Sequence, residues 1–137
     1  MKEYKTDAIR NIALVSHSGA GKTTFVERLL FDTGATTRMG DVQSGNAAMD
    51  FEPEEIDRNS SISTAIAPVE MGNLKFNLLD TPGYIDFVGE VNAALHVADS
   101  AVVFVEAVSG VEVGTEITFQ AAQQRNLPII LLVNKMD

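Results

Sequence analysis

The 137-residue chain contains no cysteine. Neither a disulfide framework nor a thiolate metal centre is therefore available to it. Positive charge is also scarce. Ten Lys and Arg stand against 19 Asp and Glu, which gives a formal net charge of −9 and a pI of about 4.6. The segment lacks the basic footprint of a domain that grips duplex nucleic acid directly. No apolar run approaches the ~20 residues of a membrane span. The first apolar run is too short for a signal peptide and follows a polar stretch of mixed charge at residues 1–7. Together these absences predict a cytoplasmic protein with no membrane partner and no direct duplex partner. No internal repeat or low-complexity tract interrupts the chain, and with 45% apolar residues it is long enough for one domain with its own core.

What is present centres on Ser16-His17-Ser18-Gly19-Ala20-Gly21-Lys22-Thr23. The stretch lies between the strand-like run Ile12-Ala13-Leu14-Val15 and a segment in which Phe25, Leu29 and Leu30 recur at helical spacing. A phosphate-binding loop requires that strand, loop and helix order. Gly19 and Gly21 let the backbone curl around an anion, so that successive N–H groups and the positive end of the helix face the phosphates. Lys22 supplies a full charge to the outer phosphates, and the Thr23 hydroxyl is suited to ligating Mg²⁺. Residues His17, Ser18, Gly19, Ala20, Gly21, Lys22, Thr23 and Thr24 are thus candidate nucleotide-binding positions. Ser16 stands where the usual pattern has glycine.

Asp32-Thr33-Gly34 ends the first helical pattern, and from residue 35 to about 61 no period survives. A connection of that length in a compact domain reads as a functional loop or a disordered one. Its acidic cluster, Asp50, Glu52, Glu54, Glu55 and Asp57, reads as a solvated face. Residues 62–71 and 74–79 form two predicted strands joined by a tight turn at Gly72-Asn73. Pro68 removes a ladder donor and places the first of them at a sheet edge. Phe87, Val91 and Ala94 or Leu95 mark a second helix, residues 101–105 a buried strand, and Val113, Ile117 and Ala121 the core face of a third helix. Residues 129–133, opened by Pro128, read as another buried strand. His96 reads as a surface residue. The alternation predicts an α/β domain with a mainly parallel sheet, one antiparallel edge strand and helices on both faces. Every motif then falls just past the carboxyl end of a strand, where open α/β sheets bind ligands.

Two such motifs remain. In Asp80-Thr81-Pro82-Gly83 the carboxylate can hold Mg²⁺, through water, beside the phosphate loop, and Gly83 lets its own N–H approach a terminal phosphate. Loss of that phosphate releases both this loop and the long segment before it. In Asn134-Lys135-Met136-Asp137 the aspartate can accept from two adjacent donors on guanine's Watson–Crick edge, whereas adenine presents an acceptor there. A site built on such pairs rejects the wrong base by on the order of 10⁴. Asn134 is expected to contact base and loop, and the stem of Lys135 to lie over the ring. GTP or GDP with Mg²⁺ is the ligand set this predicts, against the alternative of an ATP-using enzyme with the same loop.

With these three motifs the chain resembles the translational GTPases, in particular the start of the GTP-binding domain of elongation factor G and its paralogues. The likeness runs through His17, Ala20-Gly21-Lys22-Thr23-Thr24, Asp80-Thr81-Pro82-Gly83, Asp86-Phe87, Glu90-Val91, residues 108–116 and Asn134-Lys135-Met136-Asp137. It implies a P-loop GTPase fold and a Mg²⁺-dependent GTPase that acts on the ribosome. It also implies that residues 1–137 are a GTP-binding domain lacking its last strand and helix. The 129–133 strand would then be an exposed apolar edge.

The departures from the resemblance lie at the catalytic end. Tyr84 stands where the family usually has the histidine that orients the attacking water. Ser18 replaces an apolar residue and Gly19 an aspartate. Arg58-Asn59-Ser60-Ser61-Ile62 aligns with the family's Arg-Gly-Ile-Thr-Ile, so that Ser61 takes the place of the Mg²⁺-ligating threonine and Ser60 that of an isoleucine. Ser61 keeps the hydroxyl and, with Thr23 and Asp80, completes the implied metal set. Tyr84 either orients a water through its phenol or packs against the loop, and with Lys22 and Gly83 it forms the candidate catalytic group. The resemblance thus predicts slow intrinsic hydrolysis stimulated by the ribosome. The alternative is a GTP-gated ribosome-binding switch that hardly hydrolyses.

Overall fold

The computed structural model describes residues 2–137. Five strands form one sheet: β1 (Ile9–Val15), β2 (Ala65–Met71), β3 (Leu74–Asp80), β4 (Ser100–Glu106) and β5 (Ile129–Asn134), in the spatial order β2-β3-β1-β4-β5. Four helices accompany them: α1 (Lys22–Asp32), α2 (Pro53–Arg58), α3 (Val88–Val97) and α4 (Val113–Gln124). β1 pairs in parallel with β3, Ile9 opposite Lys75, and with β4, Ile12 opposite Ser100, and β4 pairs in parallel with β5. Only β2 runs antiparallel, joined to β3 through Gly72 at φ 61° and Asn73. Pro68 does sit on the outer strand, where its missing N–H costs no ladder bond.

Because side chains alternate across a strand, the central strands supply two cores. Ala13, Val15, Leu79, Ala101 and Val103 face Val91, Ala94 and Leu95 of α3 and Ala122 of α4. Leu14, Leu78, Ala67, Val69 and Phe104 face Val26 and Leu30 of α1, together with Met49 from the long connection. Phe25 meets Phe104 edge to face, with centroids 5.3 Å apart, an arrangement that adds about 0.5–1.5 kcal/mol to simple burial. Both layers thus clamp β1, whose last residue leads straight into the 16–23 loop.

Four expectations need correction. The 35–61 connection is not structureless, since α2 lies within it. Pro53 fits the first helical turn, and a reciprocal capping pair joins Glu52 and Glu55. The acidic cluster is not a uniformly solvated face either: Asp50 and Glu55 are only 4% and 2% exposed, and Glu55 accepts the N–H groups of Ile62 and Ser63 at 2.9 and 3.1 Å. Those bonds, with Thr64 N–H donating to Glu90 at 2.9 Å, divert residues 62–64 from the ladder, so β2 begins at Ala65. The core face of α4 is turned by one position, to Gly114, Thr115, Thr118 and Ala122, while Val113 is 62% exposed. The reason is steric and local. Gly114 lies so close to the 16–23 loop that a Cβ there would sit 2.7 Å from His17 Nδ1, and Thr118 satisfies its buried hydroxyl on the Gly114 carbonyl at 2.9 Å. β5 is the outer strand, the exposed apolar edge that the family resemblance implies, with Ile130, Leu131 and Val133 more than half exposed. No helix among the described residues is long and apolar enough to cross a membrane.

Candidate functional site

The carboxyl ends of β1 and β3 and the start of α1 converge on one cleft of about 590 Å³. Its walls include Ser18, Gly19, Gly21, Lys22, Thr23 and Thr24 from the first motif and Gly83 and Tyr84 from the second. Gly21 caps α1 in the left-handed region at φ 89° and offers no side chain to the first-turn N–H groups, which stay directed at the cleft. A Cβ on Gly21 would collide with the Asn134 amide, which donates to the Ala20 carbonyl at 2.9 Å. The third motif is thereby tied to the loop, as its sequence suggested. Gly83 is confined for a similar reason: a Cβ there would lie 2.6 Å from Ser18 Cα.

Beneath the loop lies a buried electrostatic group. Lys22 is 6% exposed and donates to Ser16 Oγ at 2.7 Å. Burial pushes its ammonium down to about 8, against the pull of Asp80 and Asp50. Asp80 is 1% exposed, neither of its oxygens has a hydrogen-bond partner, and burial pushes its carboxyl up to about 7 while Lys22 opposes the rise. Next to this pair Thr23 Oγ1 lies 3.2 Å from Ser61 Oγ, and Ser61 donates to Asp50 at 2.6 Å. Burial raises the Asp50 carboxyl as well. Two hydroxyls and two buried carboxylates with free oxygens make the hard oxygen donor set that Mg²⁺ takes in phosphate sites. The residues present therefore fit the ion.

The remaining candidates are placed as follows. Ser60 and Ser61 both reach the cleft, and Ser18 and Tyr84, whose departures were read together with that of Ser60, line it as well. Tyr84 is 48% exposed and lines the cleft. Lys135 lines the cleft with a left-handed backbone, φ 56°, and its ammonium lies 3.4 Å from Glu106. Asp137 is exposed and is not part of the cleft wall. The His17 side chain turns away toward α4, with Nε2 3.6 Å from Glu112 and Nδ1 buried without a partner. The His17 side chain is thus engaged with the start of α4 and is not part of the cleft wall.

Sequence reasoning did not find Asp50 beside the Thr23 and Ser61 hydroxyls, nor Asp41, Val42 and Gln43 as cleft wall. It also missed Glu27, which is 1% exposed on α1. No local pattern marks them, because each acquires its role only when the long connection folds back on α1.

Residues 7–137 match the family described as the elongation factor Tu GTP binding domain. Elongation factor G of Chlamydia trachomatis serovar D is 44% identical over 136 residues, 99% of this chain and 20% of that protein. The mitochondrial ribosome-releasing factor 2 of Meyerozyma guilliermondii is 45% identical over 128 residues, 93% of this chain and 15% of that protein. A crystal structure of a protein from Thermus thermophilus superposes with a TM-score of 0.93 at 45% identity, over 95% of this chain and 20% of that one. The chain spans 15% to 20% of the length of these two curated relatives.

Proposed function

The chain belongs to the elongation factor Tu GTP-binding domain family, and from that premise we propose that it binds GTP and GDP with Mg²⁺ and hydrolyses GTP within a ribosome-associated translation factor of elongation factor G type. The observation that supports this best is the buried Lys22 and Asp80 pair under the open N–H groups of α1, with the Thr23 and Ser61 hydroxyls beside it. Such an arrangement offers the positive charge that phosphates require and the oxygen ligands that their cation requires. In this reading residues 17–24 take the phosphates and Thr23, Ser61 and Asp80 hold Mg²⁺, with Asp50 in support. The ion when bound neutralises charge on the outer phosphates. Asn134, Lys135 and Asp137 take the guanine.

Lys22 and Gly83 stabilise the transferring phosphoryl group, and Tyr84, which lines the cleft beside Gly83, positions the attacking water through its hydroxyl. A phenol can donate and accept hydrogen bonds but does not carry the positive charge that an imidazole can, so turnover is slow without a partner that completes the site. The test is GTP hydrolysis by the full-length protein with and without bacterial ribosomes. Strong stimulation supports the reading, and failure to bind guanine nucleotide in preference to adenine nucleotide refutes it. Ser18 and Ser60 lining the same cleft as Tyr84 favour a second reading, a GTP-gated ribosome-binding switch. Ribosome binding without stimulated hydrolysis selects that one.

A further inference from the structure

Glu27 is a carboxylate almost wholly removed from water, 1% exposed, on the second turn of α1. Its Oε1 accepts the N–H groups of Ala48 at 2.6 Å and Met49 at 3.0 Å, more than 20 residues along the chain. The chain wraps so tightly over its other oxygen that a Cβ on Gly40 would collide with Oε2. Met49 is seated in the core against α1, and the next residue, Asp50, accepts from Ser61, which in turn lies against Thr23 in the first turn of the same helix. A closed circuit results: it leaves α1 at Glu27, passes through Ala48, Met49, Asp50 and Ser61, and returns to α1 at Thr23.

We propose that Glu27 is the positioning residue that holds the 40–61 connection closed over the cation site. The physical reason is asymmetric. In place, the segment gives the carboxylate two charge-assisted hydrogen bonds. Lifted away, it exposes the carboxylate to water and gives up both bonds together with the burial of Met49 against the core, whereas a partly lifted segment shields the carboxylate without a donor. Intermediate positions satisfy neither condition, so the segment is either down, with Asp50 and Ser61 at the cation site, or away. Glu27 touches neither nucleotide nor cation. It acts through Asp50 and Ser61, and the inference rests on the reading of Thr23, Ser61 and Asp80 as the Mg²⁺ ligands.

The experiment uses the full-length protein with Glu27→Ala and Glu27→Gln. Affinities for GDP and for a non-hydrolysable GTP analogue are measured with Mg²⁺, together with the rate of protease cleavage within residues 35–61. The cation and outer phosphate are what the closed segment meets. Glu27→Ala should therefore weaken the analogue about tenfold or more while changing GDP by about twofold or less, the scale of losing two hydrogen bonds to a charged group in one state only. Cleavage within the segment should rise. Glu27→Gln keeps one acceptor and should fall between wild type and Glu27→Ala in both readouts. Equal losses for GDP and analogue, or unchanged cleavage in both variants, would overturn the proposal. If Glu27→Ala does not fold, Glu27→Gln decides by the same criteria. Cleavage is read whether or not the wild type binds guanine nucleotide, so failure of that binding counts against the functional reading and not against the role of Glu27.

Discussion

Replacing Gly21 by alanine tests the geometry of the phosphate loop against an internal control. Gly19 and Gly21 both hold left-handed backbone, at φ 81° and 89°. An alanine Cβ at either position brings the same backbone penalty, about 1–2 kcal/mol. The two sites differ in their surroundings, for a Cβ at Gly19 meets nothing within 4 Å, whereas one at Gly21 runs into the Asn134 amide. To relieve that collision Asn134 must swing away and lose its bond to the Ala20 carbonyl, worth about 0.5–1.5 kcal/mol, with repacking added. Gly19→Ala should therefore destabilise the nucleotide-free protein by about 1–2 kcal/mol and Gly21→Ala by about 2–4 kcal/mol. In thermal midpoint the gap between them is about 4 °C or more. A double-mutant cycle isolates the cause: in an Asn134→Ala background the extra cost of Gly21→Ala should vanish, leaving only the backbone part. Denaturant unfolding of the four variants measures this. Equal costs at the two glycines, or a Gly21→Ala cost unchanged by Asn134→Ala, would refute the argument that Asn134 is the obstructing group.

Burial raises the Asp80 carboxyl to about 7 in the folded state. A native state that keeps a proton the unfolded chain has released loses stability as pH rises. In EDTA without nucleotide, the urea midpoint should accordingly fall between roughly pH 4 and pH 7, by up to about 4 kcal/mol of unfolding free energy, and Asp80→Asn should flatten that slope. Lys22, lowered to about 8, acts above this window and with the opposite sign. Gly114→Ala places a methyl 2.7 Å from His17 Nδ1 and 2.9 Å from its Cα. That overpacking should cost about 1–3 kcal/mol, and nucleotide titration should show weaker GDP binding as α4 is forced off the loop. Tyr84→Phe removes only the hydroxyl at the cleft. If that hydroxyl positions water, ribosome-stimulated turnover should fall about fivefold to tenfold with little change in GDP affinity, and unchanged turnover would take the phenol out of the chemistry.

Much of the site was legible because its chemistry is local. The phosphate loop needs glycines, a lysine and a hydroxyl at fixed spacing between a strand and a helix, and residues 16–24 show all of these in the string itself. The same holds for Asp80 to Gly83 and for Asn134 to Asp137, and the order of apolar runs was enough to place β1, β3, β4 and β5 in a parallel sheet with Pro68 on its edge. The hidden parts depend on long-range closure. Helix α2 is only six residues long, too short for periodicity to reveal, and stands on its capping pair and Pro53. The exposed Val113 and buried Thr115 and Thr118 of α4 reverse a hydrophobicity reading because the approach of Gly114 to His17 sets the helix's rotation.

The acidic residues draw the division most clearly. Composition alone determined that the domain is acidic, cysteine-free and without a basic surface. Which carboxylates are solvated and which are buried was decided only in three dimensions. Glu54 and Asp57 face water, while Glu27, Asp50 and Glu55 lie almost wholly inside. The physical reason is that burying a carboxylate is costly unless donors gather around it, and the N–H groups that serve Glu27 come from residues 48 and 49, far along the chain. Sequence specifies the charges, but only the folded chain supplies the donors that decide where each charge can rest.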